Sequence, residues 1–134
     1  MRISTKTRYG LRALVLLAQN YPKKELLNLK EISGKEKISL AYLEKIAKKL
    51  KERKIIKSQK GKTGGYVLVK NPSRIKIGEI FNILENKTDL VFCLGNKNNF
   101  CSMAKSCCTK KVWLKMQKSI NTTLNSITLK DLIK

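Results

Sequence analysis

The chain has 134 residues, with 30 Lys and Arg against 9 Asp and Glu, a net charge of +21 and no histidine, which bounds it to one domain with at most an appendage. Its 42% apolar and 6% aromatic residues allow a modest core built mostly of Leu, Ile and Val. No apolar run approaches the ~18 residues that cross a bilayer, and a histidine-ligated metal site is excluded.

The charge attracts polyanions, nucleic acid first among them. Much of the excess is lysine and asparagine is frequent, so part of it is compositional and placement carries more than the total. The apolar stretch Leu11–Ala18 is too short for a signal peptide, lies among arginines and lacks a small-residue cleavage site. A cytoplasmic location is expected, with no membrane partner. In that reducing compartment clustered cysteines bind metal or sense redox state more often than they form structural disulfides.

In chain order, Thr5 to Asn20 is expected as a helix, because Leu11, Leu14, Val15 and Ala18 recur at helical spacing and Pro22 stops it. Arg8 and Arg12 share a face four residues apart and are candidates to clamp a nucleic-acid backbone. Asn28 is placed to cap a short helix over Leu29–Lys35, with Ile32 inward and Gly34 weakening it. Ser39 is the next N-cap. Leu43, Ile46, Ala47 and Leu50 follow as a buried stripe, leaving Lys45, Lys48, Lys49 and Lys51 largely outside it. Two helices joined by a short turn, the second with a basic face, form a helix-turn-helix.

Two short strands are expected next, Ile55 to Gln59 and Tyr66 to Val69. Lys60-Gly61-Lys62-Thr63-Gly64-Gly65 forms the tip between them, a β-wing closed by Pro72. Ile77, Ile80, Phe81 and Leu84 mark another amphipathic helix. Then come all four cysteines, within Cys93 to Cys108. Val112, Trp113, Met116, Ile120, Leu124 and Ile127 follow as a stripe close to heptad spacing. It docks either on its own domain or, as the period near 3.5 favours, on the same helix of a second copy. Thr128 and Asp131 fit a capping box that opens a last short helix.

Function is argued from placement. From Lys45 to Lys62 there are nine basic residues and one acid, Glu52, all on the second helix and the wing. Such lysines neutralise phosphates without reading sequence. Base reading needs side chains near the start of the helix, which nominates Ser39, Ala41, Tyr42 and Glu44, with Lys45 reaching a guanine edge and Lys49 the backbone. Glu44 either accepts from a cytosine amino group or is a solvated acid, and Tyr42 is either a contact or half-buried core. Lys60, with Gly61, Lys62 and Gly64 at the wing tip, is placed for a minor groove.

The segments MRISTKTRYGLRAL, ISLAYLEKIAKKLKERKII, GKTGGYVL, IKIGEIFNILE and SITLKDLI resemble, in register along the whole chain, the Rrf-type family of bacterial transcription regulators. The resemblance implies a mainly α fold: a winged helix-turn-helix with a small two-stranded β-wing and a long C-terminal dimerisation helix. The expected organisation is a DNA-binding domain over 1–85, a cysteine-bearing loop over 86–110, and the dimerisation helix with a short terminal helix over 111–134. The resemblance further implies a homodimer on an imperfect palindrome of double-stranded DNA, joined through Trp113, Met116, Ile120, Leu124 and Ile127.

Cluster-binding members of that family carry three cysteines before the dimer helix, and Cys93, Cys101 and Cys107 match them. The resemblance thus implies an iron–sulfur cluster, 2Fe–2S or 4Fe–4S, that reports cluster status, nitric oxide, oxygen or iron. Where some members place a histidine, this chain has Lys110. The fourth ligand is then Cys108, an acid such as Asp89 or Glu85, or an exogenous group; thiolate is the preferred donor. Structural zinc is the lesser alternative, since no C-x2-C pair is present. A cluster-free repressor with thiol redox sensing also stays open.

Overall fold

The structure, a computed structural model, describes residues 2–61, 64–86, 88–94 and 101–133. Lys62 lies outside the described residues.

Helix α1 spans Thr5–Asn20, and the side chain of Ser4 caps it by accepting the Thr7 N–H at 3.2 Å. Thr7, Gly10, Ala13, Leu14, Leu17 and Ala18 form its buried stripe. Pro22 ends the helix in a short 3-10 turn over Tyr21–Lys23. Helix α2 is Leu29–Glu36, capped by Asn28, which accepts the Glu31 N–H at 2.8 Å. Lys37 takes the left-handed conformation at φ 55 and turns the chain. Helix α3, Leu40–Glu52, starts at Ser39, whose hydroxyl accepts the Tyr42 N–H at 3.2 Å. The expected stripe of Leu43, Ile46, Ala47 and Leu50 is its buried face. Full burial of a Leu or Ile side chain stabilises by about 1.5–3 kcal/mol, so these four residues seat α3 and leave its lysines outside.

The wing is an antiparallel pair, β1 (Ile56–Gln59) with β2 (Gly65–Leu68), registered from Ile56 opposite Leu68 to Gln59 opposite Gly65. β1 starts one residue later than expected and ends at Gln59 as expected, while β2 is displaced by one residue toward the N-terminus. Val69 still donates to the Ile55 carbonyl at 3.0 Å, so the ladder continues past the strand ends. The other edge of β2 is held by Leu27, which exchanges two backbone hydrogen bonds with Tyr66, at 3.1 and 2.8 Å. That pairing explains Gly65: a Cβ there would lie 2.7 Å from the Leu27 carbonyl, well inside contact distance. The wing is thereby tied to the entry of α2.

Helix α4 is Ile77–Leu84 and α5 is Lys110–Ser126. The two meet closely where Gly78 faces Asn125, whose side chain would have to shift to admit a Cβ there. After α5 the chain returns to the core: Ile77 donates to the Ile127 carbonyl at 2.9 Å and Leu129 to the Ile75 carbonyl at 2.8 Å. Leu129 is fully buried. Both halves of the Thr128–Asp131 capping box are formed, opening a 3-10 helix at Leu129–Leu132. Leu14, Leu43, Ile46, Leu50, Ile80, Leu84 and Leu129 belong to one continuous core. Among the described residues no helix is long and apolar enough to cross a membrane.

Candidate nucleic-acid interface and cysteine segment

Helix α3 presents Ala41, Glu44, Lys45 and Lys48 as exposed side chains, with Lys49 half-buried beside them. Ser39 uses its oxygen as the helix cap, which leaves its hydroxyl hydrogen for an outside acceptor. Lys60 and Gly61 are exposed at the wing tip, where Gly61 has φ +131. Gly64 donates to the Gly61 carbonyl at 2.9 Å and closes that tip.

Tyr42 is half-buried and meets the Tyr9 ring edge-on, centroids 5.7 Å apart at 82°. Its ring therefore packs α3 on α1. Arg8 is exposed on α1. Arg12, the other clamp candidate, is held in contacts within the chain. Its guanidinium pairs with the Glu36 carboxylate at 2.8 Å, donates to the Glu36 carbonyl and lies over the Tyr9 ring at 5.6 Å. These contacts join it to the C-terminal end of α2.

Lys6, in the first turn of α1, is half-buried, and its sequence position offers no stripe that marks it. Partial burial and then the neighbouring ammonium groups of Lys49 and Lys45 hold its pKa below the ordinary lysine value. Glu85, which follows α4, receives the Ser4 N–H at 2.7 Å. Partial burial opposes ionisation of Glu85, but hydrogen bonds from Ser4 and Thr7 and the charge of Lys6 outweigh it and hold its carboxyl below the usual range.

The cysteines lie between Glu85 and α5. Cys93 is in a short turn over Phe92–Leu94, and all four cysteines are free thiols. The Cys107 sulfur is 3.2 Å from the Thr109 hydroxyl, while Cys108 faces the Ser106 carbonyl, so the adjacent pair turn apart. Hydrogen bonds from the Thr109 hydroxyl and from the N–H groups of Thr109 and Lys110 lower the Cys107 pKa. The donor types suit an iron–sulfur cluster, which favours thiolates. Among the described residues, however, no three Cys, Asp or Glu side chains stand together to hold a metal.

Gln117 of α5 fastens the start of this segment. Its side chain accepts the Leu90 N–H at 2.8 Å and donates to the Thr88 carbonyl at 3.3 Å. Along α5, Val112, Leu114 and Met116 are exposed, Trp113 and Ile120 are half-buried, and no residue is fully buried. Leu124 and Ile127 pack on the chain's own core. The heptad-like stripe is thus divided: its C-terminal end docks within the chain and its N-terminal part stays open.

A helix-turn-helix followed by a two-stranded wing, with lysines along the outer helix, defines the class: a winged-helix regulator of transcription. The chain belongs to the Rrf2 family, described as iron-dependent transcriptional regulators, which it matches over residues 3–134. It is 36% identical over 133 residues to an HTH-type transcriptional regulator of Neisseria meningitidis, covering 99% of this chain and 88% of that one. It is 32% identical to the HTH-type transcriptional regulator IscR of Klebsiella pneumoniae, over 99% of this chain and 80% of that one. Among solved structures it is similar to CymR, the global cysteine regulator of B. subtilis, at 32% identity and TM-score 0.81, covering 98% of this chain and 95% of that one. It is also similar to T. potens IscR, at 35% identity and TM-score 0.78, covering 98% and 85%. It is a transcriptional regulator and not an enzyme.

Proposed function

We propose that this regulator binds an imperfect DNA palindrome as a homodimer and answers to the chemical state of its cysteine segment. Helix α3 enters the major groove, with Ser39, Ala41, Glu44 and Lys45 nearest the bases and Lys49 on the backbone. Lys60 and Gly61 of the wing follow the adjacent minor groove. The exposed apolar residues of α5 meet the same helix of a second copy, with half-sites roughly 34 Å apart. The observation that carries this reading is the division of α3 into a buried apolar stripe and an outward lysine face.

An iron–sulfur cluster on Cys93, Cys101 and Cys107, with Cys108 as a fourth donor, is the sensing group this reading favours. Its support is the thiolate donor set and the family's iron dependence. Lys105, Lys110 and Lys111 would offset the negative charge of such a group. The second reading is a cluster-free thiol sensor, supported by the similarity to CymR, one of whose solved structures is described as an oxidized form, at 30% identity. In both readings the signal passes through this chain's own contacts. Gln117 joins the segment to α5 and Glu85 joins it to the start of α1, so a rearranged segment shifts the population of DNA-competent dimers.

Anaerobic purification tests the choice. A brown protein with stoichiometric iron and sulfide supports the cluster. A colourless protein with no metal, or with zinc, removes it in favour of thiol chemistry or a structural zinc.

A further inference from the structure

An open cleft of about 520 Å³ is bordered by the end of α3, the start of α4 and the end of α5. Arg53, Arg74 and Lys76 line it together. Each is carried on backbone that its neighbours fix. Arg53 is the C-cap of α3 and donates its N–H to the Lys49 carbonyl at 3.2 Å. Arg74 ends the 3-10 turn Pro72–Arg74 and donates to the Asn71 carbonyl at 2.9 Å. Lys76, the N-cap of α4, is bridged to Thr128, and its carbonyl receives the Glu79 N–H at 3.1 Å. The carboxylate in the lining, that of Glu79, is already held by Lys70 at 3.3 Å. Among the described residues Arg53, Arg74 and Lys76 make no ion pair. A chain this basic has many solvated lysines, but here three cations from three elements border one concavity. A concave surface lined by one sign of charge concentrates the opposite ion.

We propose that this cleft binds a small organic phosphate, with Arg53, Arg74 and Lys76 around the phosphate group. A phosphate monoester carries a charge of about −1.5 to −2 and three strong acceptor oxygens, which three cations can share. The planar fork of arginine meets two such oxygens at once. The volume falls within the range of small-molecule sites, about 300–1,000 Å³, so space remains beyond the phosphate. Asn82 and Asn125 supply amide donors and acceptors to the organic part, and Ile83 an apolar surface. Arg53 and Ser39 cap opposite ends of α3, about 20 Å apart at the helical rise of 1.5 Å per residue. The cleft is therefore remote from the residues assigned to base contact. Its occupant touches both the end of α3 and Asn125 of α5.

The probe is glycerol phosphate, titrated into the full chain by calorimetry at constant ionic strength. One saturable site per chain is expected. Arg53→Gln and Arg74→Gln should each weaken it by about tenfold, the scale of one charge-assisted hydrogen bond in a partly open site. Lys23→Gln, which removes a charge outside the cleft, is expected to leave the affinity unchanged. All three side chains are exposed, so the variants keep the fold. Succinate, with carboxylates in place of phosphate, is expected to bind at least about tenfold more weakly than glycerol phosphate, having fewer oxygens on each charged group. A wild-type chain without saturable binding overturns the site, as do arginine variants that bind like wild type. An equal loss with Lys23→Gln also overturns it, by reducing the effect to net charge. Equal affinity for succinate overturns the assignment to phosphate. Arg74→Gln is finally tested on a duplex of mixed sequence, where unchanged affinity is expected. A loss there equal to the loss of glycerol phosphate would assign the cations to the DNA backbone and overturn the small-molecule site.

Discussion

Ser4 donates its backbone N–H to the Glu85 carboxylate at 2.7 Å, joining the N-cap of α1 to the residue that ends α4. The bond links two points 81 residues apart in sequence. Its position, at the threshold of the cysteine segment and beside Lys6, makes Glu85 a joint between the candidate sensing and DNA-facing parts.

The pH dependence of this joint has a definite sign. The folded pKa of Glu85 lies below its unfolded value, so its stabilisation is present above the unfolded pKa and is lost as pH falls through the folded one. Glu85→Gln is expected to lower stability at pH 7 by about 1 kcal/mol, the scale of a charge-assisted hydrogen bond reduced by solvent screening. At a pH below the folded pKa the difference should vanish. Urea unfolding midpoints across an acid titration check this, and a constant difference at every pH would remove the charge from the account.

Two glycines should respond in opposite directions. Gly65→Ala drives a methyl group into the Leu27 backbone and is expected to destabilise by roughly 1–3 kcal/mol. Gly34, inside α2, has open space about its Cα, and Gly34→Ala is expected to stabilise by about 0.5–1 kcal/mol through the unfolded chain. Thermal melts of the two variants suffice, and equal shifts would contradict the pairing of Leu27 with the wing.

The divided stripe on α5 separates association from folding. Met116→Lys is expected to give folded monomers in sedimentation, since Met116 is 38% exposed. Leu124→Lys, by contrast, places a charge against the core and should unfold the chain. An unchanged dimer with Met116→Lys would move the interface off the open part of the helix.

At the wing, Lys60→Ala is expected to weaken binding to a selected site more than to random duplex, as fits a groove contact read by shape. Equal loss on both sequences, measured by anisotropy, would make the side chain a phosphate contact alone.

The sequence was most informative where the determinants are local. Thr5 and Asn20 bound α1 as expected, because the Ser4 cap and Pro22 lie at its ends. Ser39 and the stripe from Leu43 to Leu50 likewise gave α3 its start and its inner face. Contacts distant in the chain were not legible. Nothing in the period of either segment announces that Leu27 pairs with Tyr66, that Glu85 reaches Ser4, or that Gln117 holds Leu90. The α5 stripe showed its apolar period but not its division, because the return of the chain at Ile127 and Leu129 buries one end. Cysteine spacing indicated donor type, whereas the turn at Thr109 decides where the Cys107 sulfur points.

The most direct measurement takes one anaerobic preparation and one duplex selected by the protein from a random pool. Affinity is compared before and after the cysteine segment is altered, by iron removal where iron is present and by thiol oxidation where it is not. The account predicts a change of about tenfold, a coupling of roughly 1.4 kcal/mol between the segment and the DNA face. Equal affinity in both states, with the dimer intact, would contradict it.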